Sequence, residues 1–179
     1  LETTYNRAIA TLVELEKPVL AAVNGVAAGA GASLALACDV RLMAEDARLI
    51  LAFAGVGLVP DSGATWFLPR MMGYERAFLL AATGGRVSAA EAEALGLASR
   101  VLPADALAEA TRELALRLAQ GPTKAIGLTK RAMRRALTTR LDEALAYEAQ
   151  LQEVAGRTDD HREGVAAFLE KRPARFSGR

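Results

Sequence analysis

Apolar side chains recur at helical spacing through residues 2 to 15, with Tyr5, Ile9, Leu12 and Val13 on one face. That run stops before Lys17-Pro18, because a residue ahead of proline is biased out of the helical region. The rhythm then changes. "VLAAVNG" is a short continuous apolar run closed by Asn24-Gly25 and reads as a buried strand. "VAAGAGASLALACD" starts as a glycine-punctuated turn and opens into an apolar helix from about Ala30 to Ala37. "DVRLMAE" and "RLILAF" read as two more short strands.

From Asp61 the pattern turns helical. Asp61 to Met72 forms one predicted helix, stopped by Gly73, and Glu75 to Ala82 forms another before a turn at Gly84-Gly85. "SAAE" at 88 to 91 is a capping box, serine at the N-cap and glutamate three residues on, opening a helix that ends near Gly96. "RVLP" at 100 to 103 is a strand or connector. Helical patterns then run over Ala104 to Ala119, Lys124 to Leu137, Leu141 to Val154 and His161 to Lys171. The expectation is an α/β part over residues 1–115 and a helical part over 116–179, with no repeat or low-complexity linker.

Composition sharpens this picture. Apolar residues are 52% of the 179 and aromatics only 5%, so Ala, Leu and Val must build most of one domain-sized interior. A net charge of +1 argues against nucleic acid or an anionic membrane as main partner. A single cysteine, Cys38, forms no internal disulfide and fits a reducing, cytoplasmic setting. No uninterrupted apolar stretch approaches the roughly 18 residues of a membrane span. The chain opens in the middle of an amphipathic helix with neither Met nor a signal-peptide pattern, so further residues are expected upstream of Leu1.

Two stretches carry candidate chemistry. In "NGVAAGAGAS" (24–33) small residues let backbone approach a neighbour, and the turn feeds a helix N-terminus whose free N–H groups favour negative charge. Close strand–helix packing, a phosphate and an oxyanion all fit, although GxxxxGK[ST] is absent and no GxGxxG follows the strand. In "GLVPDSGATW" (57–66), Asp61 fits either a helix N-cap or a carboxylate that moves protons.

The segments "KPVLAAVNGVAAGAGASLALACDVRLMAEDARL", "GLVPDSGATWFLPRMMG", "SAAEAEALGLASRVLP" and "DDHREGVAAFLEKR", in this order and spacing, resemble the enoyl-CoA hydratase/isomerase (crotonase) superfamily. The resemblance runs from about Lys17 to the C-terminus. It implies the crotonase (ClpP-like) fold of repeated ββα units with a C-terminal helical trimerisation region. It also implies an acyl-CoA thioester as substrate, a homotrimer or dimer of trimers, and no metal or cofactor beyond the coenzyme A of the substrate.

The resemblance places one thioester-binding N–H at Ala30, flanked by Gly29 and Gly31. The second donor belongs to a pattern like A-F-S-A-G-x-D, absent from these residues and expected upstream. Losing such a donor costs about 3 kcal/mol of transition-state stabilisation, so these residues alone should be a poor catalyst. Where the family's hydratases carry two glutamates, this sequence has Ser33 and Phe53, which disfavours ordinary hydration. Asp61 falls where several isomerases carry an acid, and its segment is most like the branch that degrades phenylacetate. That branch turns ring 1,2-epoxyphenylacetyl-CoA into an oxepin-CoA and shifts a 3,4 double bond to 2,3. Ser62, Gly63, Ala64, Thr65 and Trp66 would form part of the pocket wall.

Other signals stay open. Lys124, Lys130, Arg131, Arg134, Arg135 and Arg140 read as a solvated helix face, as steering for CoA phosphates, or as an RNA-binding surface, the last without interleaved aromatics. Phe168 and Lys171 either match residues that reach CoA or follow ordinary helix amphipathicity, with Phe168 inside and Lys171 outside. His161 and Cys38 read as structural, and nothing has metal-ligand spacing.

Overall fold

The computed structural model describes residues 1–179. The first half runs α1 (Tyr5–Glu14), β1 (Leu20–Val23), β2 (Val26–Ala28), α2 (Ala30–Ala37), β3 (Val40–Ala44) and β4 (Arg48–Ile50), then a 3-10 turn at Ala54–Val56. There follow α3 (Ala64–Met72), α4 (Tyr74–Ala82), β5 (Arg86–Ser88), α5 (Ala89–Ala94) and β6 (Arg100–Leu102). Four helices complete the chain: α6 (Leu107–Ala119), α7 (Thr123–Ala136), α8 (Leu141–Gly156) and α9 (Asp159–Glu170). Two compact units result, Leu1–Val13 with Val19–Arg112, and Glu14–Pro18 with Glu113–Arg179.

In the first unit the strands form two three-stranded sheets, and β1 to β4 alternate between them. β1, β3 and β6 are parallel in one sheet, with Val23 opposite Met43 and Met43 opposite Val101. In the other, β2 runs parallel to β4 and β5 antiparallel to it. Each pair of strands therefore crosses from sheet to sheet before a helix, giving β1–β2–α2 and β3–β4–α3, the ββα repeat. β2 and β5 were not expected. Each has three residues, too few for a period, and each exists because β4 pairs with it.

The alanine-rich composition is spent on the interior. Ala32, Ala37, Ala44, Ala64, Ala89 and Ala92 have no exposed surface, and Leu36, Leu42, Met43, Leu49, Leu51, Leu68 and Leu97 fill the space between them. Burying each leucine stabilises the fold by roughly 1.5–3 kcal/mol. Helix α2 is apolar on almost every side and accordingly sits in this core. Its C-terminus is closed by a buried arginine. Arg41 donates from Nη1 to the carbonyls of Ala35, Leu36 and Cys38 and from Nε to Leu97. A cation there completes the orphan carbonyls and complements the helix dipole, which fixes the axis of α2 and hence where its N-terminus points.

In the second unit the segment Glu14–Pro18 lies against α7. A Cβ on Gly127 would stand 2.3 Å from the Glu16 carbonyl oxygen, so only glycine allows this approach. Glu16 takes Lys124 at 2.9 Å and Arg131 at 2.7 Å, and the Lys124 hydrogen bond leads in holding its carboxyl below the usual range. Lys130 reaches the Lys17 carbonyl, and Arg135 stacks 4.1 Å over Tyr147. Much of the basic run is thus committed within the unit instead of projecting free. No helix is long and apolar enough to cross a membrane.

Candidate active site

The glycine turn enters α2 through Gly29, whose φ of 54° and ψ of −123° suit a residue without Cβ. The Gly29 N–H donates to the carbonyl of Ile50 at 2.9 Å, which ties the turn to the end of β4. The Phe53 ring packs beside it: a Cβ on Gly29 would lie 3.8 Å from Phe53 Cζ. The first helical bond runs from Ser33 N to the Gly29 carbonyl at 3.1 Å, and the amides of Ala30, Gly31 and Ala32 donate to no acceptor in the chain. Such amides at a helix start favour a developing negative charge.

The second turn is Asp61–Ser62–Gly63. The helix predicted from Asp61 begins at Ala64, its N-cap is Gly63 at φ 85°, and no side chain caps it. The N-cap expectation for Asp61 is therefore corrected. Two consecutive left-handed residues, Ser62 at φ 52° and Gly63, carry the chain into the helix, so the carboxylate is not aimed at the first amides of α3. Instead Asp61 Oδ1 accepts the Ser62 hydroxyl at 2.9 Å. Nothing in the chain donates to Oδ2, and Asp61 is partly exposed. Ser62, expected in a pocket wall, is only 3% exposed.

One contact joins the turns. Ser33 Oγ, fully buried, donates to the Asp61 carbonyl at 3.0 Å and lies 3.3 Å from the Gly29 carbonyl. Ser33 is three residues beyond Ala30, about 4.5 Å along the helix axis. The backbone of Asp61 is thereby anchored within a turn of the Ala30 amide. In the sequence Ser33 stands out only as the residue where hydratases carry a glutamate. Its role depends on a partner 28 residues away, for which no local signal exists.

Chemically, this arrangement offers one carboxylate with an unclaimed oxygen, free amides at a helix start and an apolar wall in Phe53, which is 7% exposed. A site of this composition suits proton movement next to a carbonyl whose oxygen gains charge.

Phe168 and Lys171 belong to the second unit. Of the amphipathic alternative only the Phe168 half is overturned: Phe168 is 82% exposed at the end of α9. Lys171 is exposed as that reading had it and closes the helix in a left-handed conformation at φ 54°. Phe168 lines a cavity of about 600 Å³ with Val165, Leu169 and Phe176. His161 is exposed, its backbone N–H capped by Thr158, and Cys38 is buried.

Alternating sheets with interposed helices, and a glycine turn beside an anchored carboxylate, make up a scaffold with the crotonase fold. The chain belongs to the enoyl-CoA hydratase/isomerase family, whose model matches residues 1–179. It is 46% identical over its whole length to the 1,2-epoxyphenylacetyl-CoA isomerase of Escherichia coli K12, of which it spans 68%. It is 38% identical to the 2,3-dehydroadipyl-CoA hydratase of the same organism, spanning 70% of that protein. Among solved structures, the enoyl-CoA hydratase of Bacillus anthracis superposes with a TM-score of 0.95 at 37% identity, over 99% of this chain and 69% of that one.

Proposed function

We propose that this chain is an acyl-CoA isomerase in which Asp61 is the acid and base and the Ala30 N–H is one oxyanion donor. Its substrate is 1,2-epoxyphenylacetyl-CoA or a 3-enoyl-CoA. The observation that carries the reading is the 3.0 Å bond from Ser33 to the Asp61 carbonyl, which seats a carboxylate beside the glycine turn. The 46% identity to an isomerase of that epoxide supports the substrate class.

For a 3-enoyl thioester, Asp61 takes a proton from C2, and the electron pair moves onto the thioester oxygen as a dienolate. The carboxylic acid then returns the proton to C4, leaving the 2,3 double bond. A carboxylate is far too weak a base for this alone, so the amide at Ala30 must lower the barrier by holding the oxyanion. Gly29 and Gly31 let the thioester approach, and Phe168 and Lys171 meet coenzyme A, in a homotrimer or dimer of trimers.

A hydratase reading draws on the relative that hydrates 2,3-dehydroadipyl-CoA. Hydration needs water deprotonated while carbon is protonated, which calls for two carboxyl groups, and Ser33 and Phe53 stand at the two positions where the family's hydratases carry them. Assaying the full-length protein with the phenylacetyl epoxide thioester, a 3-enoyl-CoA and a 2-enoyl-CoA separates the readings. Asp61→Asn should lose about a thousandfold in turnover while calorimetric binding of the acyl-CoA persists. Retained turnover would sink the proposal.

A further inference from the structure

We infer that Ser62 is a positioning residue that orients the Asp61 carboxylate, an inference that rests on the reading of Asp61 as the acid and base. Two side chains in the molecule adopt a left-handed backbone, and Ser62 is one of them, at φ 52°. L residues adopt that conformation at a cost and glycine adopts it freely. A serine at this place is therefore harder to accommodate than the glycine that follows it, and what it adds is a hydroxyl.

That hydroxyl is 2.9 Å from Asp61 Oδ1 in a residue 3% exposed, so it is sheltered from water and directed at the carboxylate. The torsion about the bond to a carboxylate is otherwise broad and nearly free. Fixing Oδ1 sets the plane of the group and leaves Oδ2, which accepts nothing in the chain, as the oxygen that carries the proton. A shift between two carbons of one ligand asks the same oxygen to face both, and misaiming it by a fraction of an ångström is costly in rate. The two serines divide the work. Ser33 holds the backbone of Asp61, and Ser62 holds its side chain.

Position 62 also offers an unusually clean test, because glycine there removes the hydroxyl and relieves the backbone together. In the full-length protein Ser62→Gly should melt no lower than wild type, yet lose about tenfold in kcat with KM changed less than twofold. Ser62→Ala should lose the same kcat while melting lower, since its Cβ keeps the strain. A Ser62→Gly enzyme with wild-type kcat overturns the inference, as does a rise in KM at unchanged kcat, which would make Ser62 a substrate contact. Asp61→Asn tells the two levels apart. If that variant is active, the reading of Asp61 fails and this inference with it; if it is dead while Ser62→Gly is fully active, only the positioning role fails.

Discussion

Asp61 and Asp160 both stand at the approach to a helix with serine and glycine close by, and the fold uses their carboxylates in opposite ways. Asp160, in the first turn of α9, is 3% exposed and has both oxygens engaged: Oδ1 takes the Ser177 amide at 2.6 Å and Oδ2 the Gly178 amide at 2.9 Å. Its own N–H donates to the Arg179 carbonyl at 3.0 Å, so the group clamps the tail. Asp61 gives one oxygen to Ser62 and keeps the other unclaimed in a partly exposed turn. A carboxylate has about four acceptor sites. Whether it holds structure or does chemistry depends on how many of them the fold fills.

The same substitution should therefore have different consequences at the two places. Asp61→Asn is expected to cost about a thousandfold in turnover and to leave the denaturant midpoint near that of wild type. Asp160→Asn turns an amide NH₂ toward backbone donors, and the loss of charge-assisted bonds to a buried group should destabilise the protein by about 2–3 kcal/mol. Denaturant melts beside kinetic assays decide the matter. An unfolded Asp61→Asn, or an Asp160→Asn as stable as wild type, erases the distinction.

Much of this was legible in the residues where the cause is local. Helix α2 runs from Ala30 to Ala37 as its apolar pattern predicts, and the Ser88–Glu91 capping box forms as written, because both rest on neighbours within one turn. The start of α3 was misplaced by three residues, since Ser62 enters a left-handed conformation that no β-turn rule assigns to serine. Arg41 lies in a predicted strand, but its burial against carbonyls of α2 and of Leu97 has no local signal, since the longest partnership spans 56 residues. The spacing of Phe168 left open a core position or a contact with coenzyme A, and its 82% exposure removes the first. Asp61 could be picked out from its pattern. What anchors it could not, because Ser33 and Asp61 meet only after strands β3 and β4 between them have folded.

A smaller effect probes that anchor. Ser33→Ala removes the hydroxyl that bridges the two turns but leaves a residue that α2 accommodates easily. The stability loss should be about 1 kcal/mol, the ordinary worth of one hydrogen bond. Turnover should fall by several-fold through displacement of the Asp61 backbone. Ser33→Ala with unchanged kcat would mean that the 3.0 Å bond merely satisfies a buried hydroxyl.

The smallest effect concerns a third carboxylate, Glu163, which lies one turn beyond Asp160 on α9. Arg172 meets it in two hydrogen bonds at 2.6 and 2.9 Å, and the Arg175 N–H adds another at 2.8 Å. The Arg172 hydrogen bonds, followed by that of the Arg175 amide, hold its carboxyl down to about 2 from an ordinary 4.5. A depressed carboxylate stabilises the fold fully above its unfolded value, and the contribution is lost as pH falls through the folded one. Acidification from 4.5 toward 2 should thus progressively loosen the tail where Glu163 holds it. The amide resonance of Arg175, followed by NMR, should titrate with a midpoint near 2 and lose that transition in Glu163→Gln. A midpoint already near 4.5 would show that solvent has screened the ion pair. Asp160 would then be the one carboxylate that holds the tail, and the contrast between a carboxylate used up by structure and one left for chemistry would rest on that single clamp.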